Sequence, residues 1–416
     1  MARWYAGWNI LAVGLVFQAA TFGVAFFSFT LWVQPWMATF DASRSEVMTV
    51  FLVTQVMMGV MAPFAGRAMD VLQIRTLIIC GALSFSAALW LISKTTALWQ
   101  IGALYGTLFI AGTLLAGPLA AQTLAARWFN KRRGTAIGLS SIGTSLGGAT
   151  IPVLVGWLLL QFDWRIAHQV LALLVLVAIV PLVWFFVRNS PEAAGVEPEA
   201  ASPTAGPVGD PVSWNTQNLL TNRTFLVIVG AVTPLVLVTG AIQQNFAPYA
   251  SELAIKPTGI AALVSIMAIV MVAGKVFFGI LADRFDHRLL FLFALLLIFA
   301  TLCLMLLTPG YGLLVLTVSL LGFGMGGFLP LLGAMVANRF GPVAFGQVMG
   351  LIGPFTTLAA VGPLIAGYIR DTTGSYDSAW LLLMAALVPA ALSVLFLDSK
   401  TQQVGQGLEQ PAKMGN

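Results

Sequence analysis

The sequence predicts an all-α membrane protein in which twelve transmembrane helices form two pseudo-symmetric six-helix bundles. Of its 416 residues, 59% are hydrophobic and 8% are charged, whereas soluble domains average about 45–50% apolar and about 25% charged residues. Apolar runs of the roughly 20 residues that a helix needs to cross a bilayer recur along the whole chain. One polar stretch near the middle divides these runs into six and six.

Short polar loops separate the twelve predicted spans. The first run is longer than the apolar core of a secretory signal and more spans follow it, so we interpret it as an uncleaved helix. The spans cover residues 9–33, 46–66, 76–94, 98–125, 134–160, 165–187, 224–250, 257–281, 288–308, 311–336, 345–369 and 378–397.

The polar stretch at 189–222 is rich in Pro, Ala, Gly and Glu. This composition cannot bury a core and is typical of a flexible linker. The sequence therefore predicts an N-terminal six-helix bundle at 1–188, a flexible cytoplasmic linker at 189–222, a C-terminal six-helix bundle at 223–398 and a cytoplasmic tail at 399–416.

The positions of the 20 Lys and Arg residues predict the orientation. With both termini in the cytoplasm, fourteen of them fall on the inside and five in outer loops, as the positive-inside rule requires. The five are Arg44, Lys94, Arg165, Lys256 and Arg370. The last basic residue, Lys275, lies within a span. The net charge of +5 thus follows from topology and forms no basic patch for nucleic acid. We expect a multi-pass protein of the plasma (inner) membrane.

A sequence repeat follows the second and eighth spans. The segments GRAMDVLQIR and GILADRFDHR match at an offset of 213 residues, and their paired positions are Gly66 and Gly279, Asp70 and Asp283, and Arg75 and Arg288. Arg127 after span 4 and Arg339 after span 10 match at an offset of 212. Such internal repeats are common in secondary transporters.

This loop pattern, Gly-x-x-x-Asp-(Arg/Lys)-x-x-x-Arg, with the six-plus-six spans and the central linker, resembles the major facilitator superfamily over essentially the whole chain. FDASRSEV before span 2, RWFNKRRGTAIG entering span 5 and GKVFFGILADR at span 8 resemble its monocarboxylate porters and their oxalate/formate antiporter relatives. The resemblance implies the major facilitator fold and alternating access of the two bundles. The first loop departs from the pattern at Val71, where the family usually has a basic residue, and the second copy keeps Arg284.

The resemblance also implies that the loop residues form a latch on the cytoplasmic side. Asp70 with Arg127, and Asp283 with Arg339, are the candidate charge pairs across helix ends. The other candidate latch residues are Gly66, Arg75, Gly279, Arg284 and Arg288. The alternative is that these charges are solvated and only determine topology.

Lys275 is the one Lys, Arg, His, Asp or Glu that we assign to the interior of a span. Both histidines and all 15 acidic residues are assigned to loops or tails, although Glu46 and His168 fall within the approximate bounds of spans 2 and 6. Intramembrane ionisable residues are rare and usually line a cavity or pathway. Snorkelling to the headgroups is the alternative, but about 12 Å of helix separates Lys275 from Asp283, and the side chain tilts toward mid-membrane. An unpaired cation at this depth indicates an anion site.

The resemblance agrees with that assignment. Monocarboxylate porters place a substrate-binding arginine four residues before the glycine of the loop pattern, and Lys275 precedes Gly279 by four. Lysine for arginine is a departure, because an ammonium cannot form the two-pronged contact of a guanidinium. Some relatives also carry an aspartate one turn earlier that is implicated in proton coupling, where this chain has Met271.

Further substrate contacts are predicted from polar residues in apolar spans. Span 7 contains three consecutive amides, Gln243, Gln244 and Asn245, which either hydrogen-bond a carboxylate or tie helices together.

Aligning the first helices of the two halves pairs Ser28 with Asn245, which makes Ser28 a candidate. Gln18 on span 1 and Tyr105 on span 4 are also candidates, with helix packing as the alternative for each.

We find no nucleotide-binding Lys motif, metal-ligand cluster or nucleophile with a base in the sequence, so we expect no enzyme, no cofactor and no metal. We expect a secondary active transporter of a small organic anion, first a monocarboxylate, that works as a monomer in the lipid bilayer. Lys275 would bind the anion and carry the coupled proton in symport. The alternatives are an anion exchanger, an exporter of larger amphipathic metabolites or drugs, and a non-transporting membrane ligand sensor.

Overall fold

The computed structural model describes residues 5–197, 199 and 215–397, without the side chains of residues 44, 257 and 360. Twelve helices in this part of the chain are long and apolar enough to cross a membrane. We name them α1 to α12 in chain order: Gly7–Phe27, Ser45–Val71, Ile74–Ile92, Leu98–Trp128, Arg133–Gln161, Trp164–Phe186, Arg223–Glu252, Thr258–Ala282, His287–Met305, Tyr311–Phe340, Phe345–Thr373 and Asp377–Leu395.

Each predicted span coincides with one of these helices, and the main difference is at the first. The prediction continues span 1 to residue 33, whereas α1 ends in a π-helical turn over Gly23–Phe27 and a separate helix covers Phe29–Phe40. The Ser28 hydroxyl donates to the Gly23 carbonyl over 2.9 Å at this junction. The wide turn shifts the hydrogen-bonding register, which the hydropathy of the sequence does not reveal.

Helices α1–α6 form the first half of the molecule and α7–α12 form the second. In the first half α1 packs against α5, and α3 against α6. Gly143 of α5 allows the first contact, because a Cβ there would lie 2.8 Å from the Leu15 carbonyl oxygen. Gly147 likewise packs against the backbone of Ala19. Small residues four apart thus let two membrane helices approach closely.

The two halves meet chiefly through α2 with α11 and through α5 with α8. A Cβ on Gly66 would lie 3.0 Å from the Cα of Gly350, and one on Gly138 would lie 2.9 Å from the Cα of Gly279. These contacts lie toward the face where α1 begins and α12 ends, which we call the terminus side. The halves are therefore packed together on the terminus side, with backbone against backbone.

The predicted linker is structured where it is described. It contains a 3₁₀ turn at Glu192–Ala194 and a short helix at Thr216–Leu220. The Glu199 carboxylate accepts three backbone N–H bonds from the loop between α4 and α5, the shortest of them 2.9 Å from Lys131. Residues 198 and 200–214 of the linker, and the predicted tail at 399–416, lie outside the described residues.

Candidate functional site

Lys275 lies in α8 at the contact between the two halves and is 4% exposed. Its ammonium donates to the Ser141 carbonyl at 2.8 Å, to Thr144 Oγ1 at 2.8 Å and to Ser145 Oγ at 2.7 Å. All three acceptors belong to α5 of the first half. Three neutral oxygens thus satisfy the hydrogen-bonding capacity of an ammonium and leave its charge uncompensated.

The glycines around Lys275 explain how its side chain reaches α5. Gly279 lies one turn after Lys275 and touches Gly138, where a Cβ would also lie 2.7 Å from the Lys275 carbonyl oxygen. The two backbones are therefore in contact beside the lysine. Gln18 of α1 donates to the carbonyl and, over 3.2 Å, to the hydroxyl of Ser140, which fixes the adjoining turn of α5 against α1.

On the terminus side, an aspartate of each half binds the start of a helix in the other half, and Asp70 forms the first of these two contacts. Its carboxylate accepts from the backbone N–H of Gly346 at 3.0 Å and of Gln347 at 2.6 Å, at the start of α11. Arg127 Nη2 lies 3.7 Å from Asp70 Oδ1 and donates to the Met69 carbonyl over 2.7 Å. A carboxylate of the first half thus caps the N-terminus of a helix of the second half, where the helix dipole favours negative charge.

Asp283 makes the reciprocal contact. Its carboxylate accepts from the N–H of Gly134 at 2.6 Å and from the N–H and hydroxyl of Thr135 at 2.9 and 2.6 Å, at the start of α5. Burial raises the pKa of Asp283, and these hydrogen bonds oppose the shift. The predicted pair of Asp283 with Arg339 is not formed in this conformation, since no ion pair joins these two residues in the described part of the chain.

Arg339 instead lies beside His287, with Nη1 3.4 Å from His287 Nδ1, and it donates to the Met335 carbonyl over 3.4 Å. His287 Nε2 is 2.9 Å from the Ala282 carbonyl, which sets Nδ1 as the acceptor. The counterpart of His287 in the first half is Ile74, which offers Arg127 no such acceptor. The two repeats thus differ at the residue that lies beside Arg339.

The other candidate latch residues are glycines and arginines, and the two types lie in different places. The glycines Gly66 and Gly279 lie in the contacts between the halves. The arginines remain within their own half or in solvent: Arg75 stacks over the Trp184 ring at 4.3 Å and Arg288 lies 3.4 Å from Asp286. The side chain of Arg284 is exposed.

The amides of α7 point in two directions. Gln243 and Gln244 are exposed. Asn245 is 9% exposed and donates to the carbonyls of Ala241 and Pro363 over 3.0 and 3.2 Å. Asn245 therefore ties α7 to α11, so the structure gives it the packing role that was the alternative.

Three further substrate candidates also pack in helix contacts. Ser28 is fully buried and bonded to its own helix, and Gln18 is held by Ser140. Tyr105 is fully buried, stacks on Phe109 at 4.0 Å and has no hydrogen-bond partner for its hydroxyl among the described residues. None of the three is hydrogen-bonded to Lys275 in the described part of the chain.

The assignment of both histidines to loops is wrong, and for His168 it also conflicts with the bounds of predicted span 6. His168 lies in α6, fully buried, 4.1 Å from Trp32 between ring centroids, and its Nδ1 is 2.8 Å from the Trp164 carbonyl. His287 is the first residue of α9 and is 8% exposed. Lys275 is therefore not the sole ionisable group within the spans, although His168 is enclosed by the first half alone.

Sequence reasoning missed Ser145, whose hydroxyl contacts the lysine. The signal was present: Ser141, Thr144 and Ser145 follow an i, i+3, i+4 pattern, which places three polar groups on one face of a helix. Their position opposite Lys275 depends on the packing of α5 against α8.

Comparisons with known proteins identify the family. A family model described as Major Facilitator Superfamily matches residues 11–247 and 235–413. Human monocarboxylate transporter 2 is 24% identical over 413 residues, covering 94% of this chain and 85% of that protein. Rat monocarboxylate transporter 12 is 25% identical over 386 residues, covering 86% and 78%.

Solved structures agree on the fold. The human organic anion transporter MFSD10 superposes with a TM-score of 0.67 at 16% identity, covering 94% of this chain and 98% of that one. A bacterial homologue of the iron transporter ferroportin in an outward-facing state gives 0.69 at 15% identity, covering 95% and 100%. The chain belongs to the Major Facilitator Superfamily and is a multi-pass membrane transporter rather than an enzyme.

Proposed function

We propose that the protein is a secondary active transporter that moves a small organic anion, a monocarboxylate, together with one proton. The observation that carries the proposal is the environment of Lys275. It is buried between the halves, bonded to three neutral oxygens, and no carboxylate lies within 4 Å of it among the described residues.

A carboxylate substrate supplies the negative charge that the environment of Lys275 lacks. Hydrogen bonds to neutral oxygens compensate the lost hydration of an ammonium only in part, whereas an anion forms a stronger charge-assisted bond with it and cancels its charge. The named activity of the monocarboxylate transporter relatives, and the organic anion named for MFSD10, support an anion as the substrate.

The same lysine accounts for proton coupling. Desolvation disfavours a charged ammonium, so the empty carrier returns most readily with neutral Lys275, while a bound carboxylate stabilises the protonated form. A coupled proton must also change its access as the halves move. Lys275 meets this condition because it lies between the halves, whereas the fully buried His168 is packed within one of them.

The proposal includes a topology. We assign the terminus side to the cytoplasm of a plasma-membrane protein, following the distribution of Lys and Arg. The bundles at 1–188 and 223–398 then rock about Lys275, with 189–222 as the connection and 399–416 as a tail. The crossed caps of Asp70 and Asp283 act as the cytoplasmic latch. One chain contains both halves, which supports a functional monomer.

Uptake into proteoliposomes tests the proposal. Vesicles that contain only buffer are diluted into more acidic medium with labelled lactate, pyruvate or acetate. We expect saturable uptake of at least one of them that needs no internal anion, is abolished by a protonophore and does not change with an imposed membrane potential. Protein-free vesicles are the control. Uptake that occurs only against preloaded anion and ignores the pH gradient would identify an exchanger and refute symport.

A further inference from the structure

The three acceptors around Lys275 are one carbonyl and two hydroxyls, and the two hydroxyls differ in whether their own hydrogen is already donated. The Ser141 acceptor is a carbonyl. Thr144 Oγ1 accepts from the lysine and donates its hydrogen to that carbonyl over 2.8 Å. Ser145 Oγ accepts from the lysine at 2.7 Å. The Ser145 hydroxyl hydrogen has no acceptor among the described residues. Ser145 therefore holds the one side-chain donor in this cluster that is available to a ligand.

The exposure of the cluster points to the same residue. Lys275 is 4% exposed and Thr144 is 6% exposed, whereas Ser145 is only partly buried. Ser145 is therefore the least buried side chain of this cluster. The hydroxyl oxygen and the ammonium nitrogen are 2.7 Å apart, so the two oxygens of one carboxylate can contact both groups.

We infer that Ser145 completes the carboxylate site, an inference that rests on the proposed function. One carboxylate oxygen replaces Ser145 Oγ as the third acceptor of the Lys275 ammonium, and the other accepts the Ser145 hydroxyl hydrogen. This gives lysine the second point of contact that an arginine would supply alone. Because Ser145 belongs to the first half and Lys275 to the second, the bound anion contacts both halves at once.

The test compares Ser145→Ala, Ser145→Thr and Ser145→Cys in proteoliposomes with the labelled monocarboxylate that the parent takes up. A hydrogen bond to a charged group supports roughly tenfold or greater affinity, so we expect Ser145→Ala to raise the half-saturating concentration about tenfold or more with a smaller change in maximal rate. Ser145→Cys keeps the volume but offers a weak donor and should show a similar loss. Ser145→Thr keeps the hydroxyl and should restore affinity.

Thr150→Val on the same helix is the matched control, since Thr150 is exposed and its hydroxyl is bonded to the Leu146 carbonyl. The inference is overturned if Ser145→Ala and Ser145→Cys keep the parental half-saturating concentration. It is also overturned if they lower that concentration, because the hydroxyl would then only compete with the substrate for the ammonium. Either result in a parent that does transport a monocarboxylate leaves the proposed function standing, whereas a parent without carboxylate uptake refutes the function itself.

Discussion

The side chain of Lys275 is stable in a membrane helix because it does not face lipid. A lysine at the centre of a membrane helix costs about 2.5–3.5 kcal/mol on insertion scales. Its three bonds to α5 replace water as acceptors, and they also join the two halves. The residue thus combines a charge that has no carboxylate partner among the described residues with a position between the two halves, the two properties on which the proposed anion transport depends.

We expect Lys275→Ala to abolish anion uptake while membrane insertion and folding are retained. Loss of a charge-assisted contact of up to about 3 kcal/mol corresponds to roughly 150-fold weaker binding, and removal of the charge relieves the insertion cost. Lys275→Arg should keep part of the activity. Uptake of the labelled anion measures the effect. Monodispersity of the purified variants checks folding, and Lys94→Ala, at an exposed position, is the control. Parental uptake by a well-folded alanine variant would exclude the anion site.

The helix ends carry the second level of organisation. Asp70 caps α11 and Asp283 caps α5, so each half holds a helix N-terminus of the other. The donors Gly134 and Gly346 are 212 positions apart, as are Arg127 and Arg339. The repeat therefore includes the backbone N–H donors that each aspartate binds. Both caps must break when the terminus side opens.

We predict that Asp283→Ala and Asp70→Ala shift the protein toward an open terminus side. An N-cap contributes about 0.5–2 kcal/mol, so each variant should change the closed-to-open ratio by roughly 2- to 30-fold. Spin labels at the exposed Arg132 and Phe285, on loops of different halves, report this as a longer distance population. Turnover should slow more than affinity weakens.

Asp286→Ala is the control for this prediction. Asp286 also caps a helix, accepting from the N–H of Arg288 at 2.9 Å, but both residues belong to the second half. Its loss should destabilise α9 without separating the halves. If Asp286→Ala changes the distance distribution as much as Asp283→Ala does, or if neither inter-half cap affects it, the aspartates do not form a latch.

At the scale of the whole molecule, the packing of the halves on one side and the distribution of charge agree. The terminus side contains the crossed caps, the loop at Lys131 that binds Glu199, and most of the basic residues outside the helices. Arginine and lysine resist translocation across the membrane, so these loops should remain in the cytoplasm. The side that we assign to the latch is then the side from which an imported anion leaves.

Cysteine labelling tests this topology. In a background with Cys80 and Cys303 replaced by alanine, we expect a membrane-impermeant maleimide to label Lys94→Cys in intact cells. Arg132→Cys should be labelled only after the membrane is permeabilised. Both positions are exposed, so accessibility reports the side of the membrane rather than burial. Labelling of Arg132→Cys from outside would reverse the assigned orientation.

The sequence by itself determined the twelve helices, their division into two halves and the isolated lysine, because hydropathy, repeat offsets and charge spacing are properties of the chain in order. It did not determine that Asp283 faces Gly134 rather than Arg339, that Asn245 binds Pro363, or that Ser145 meets Lys275. It also did not determine that His168 packs against the Trp32 ring inside the first half. These contacts join residues far apart in the chain, and only the close approach of backbones at glycines such as Gly138 and Gly279 decides which side chains come within hydrogen-bonding distance.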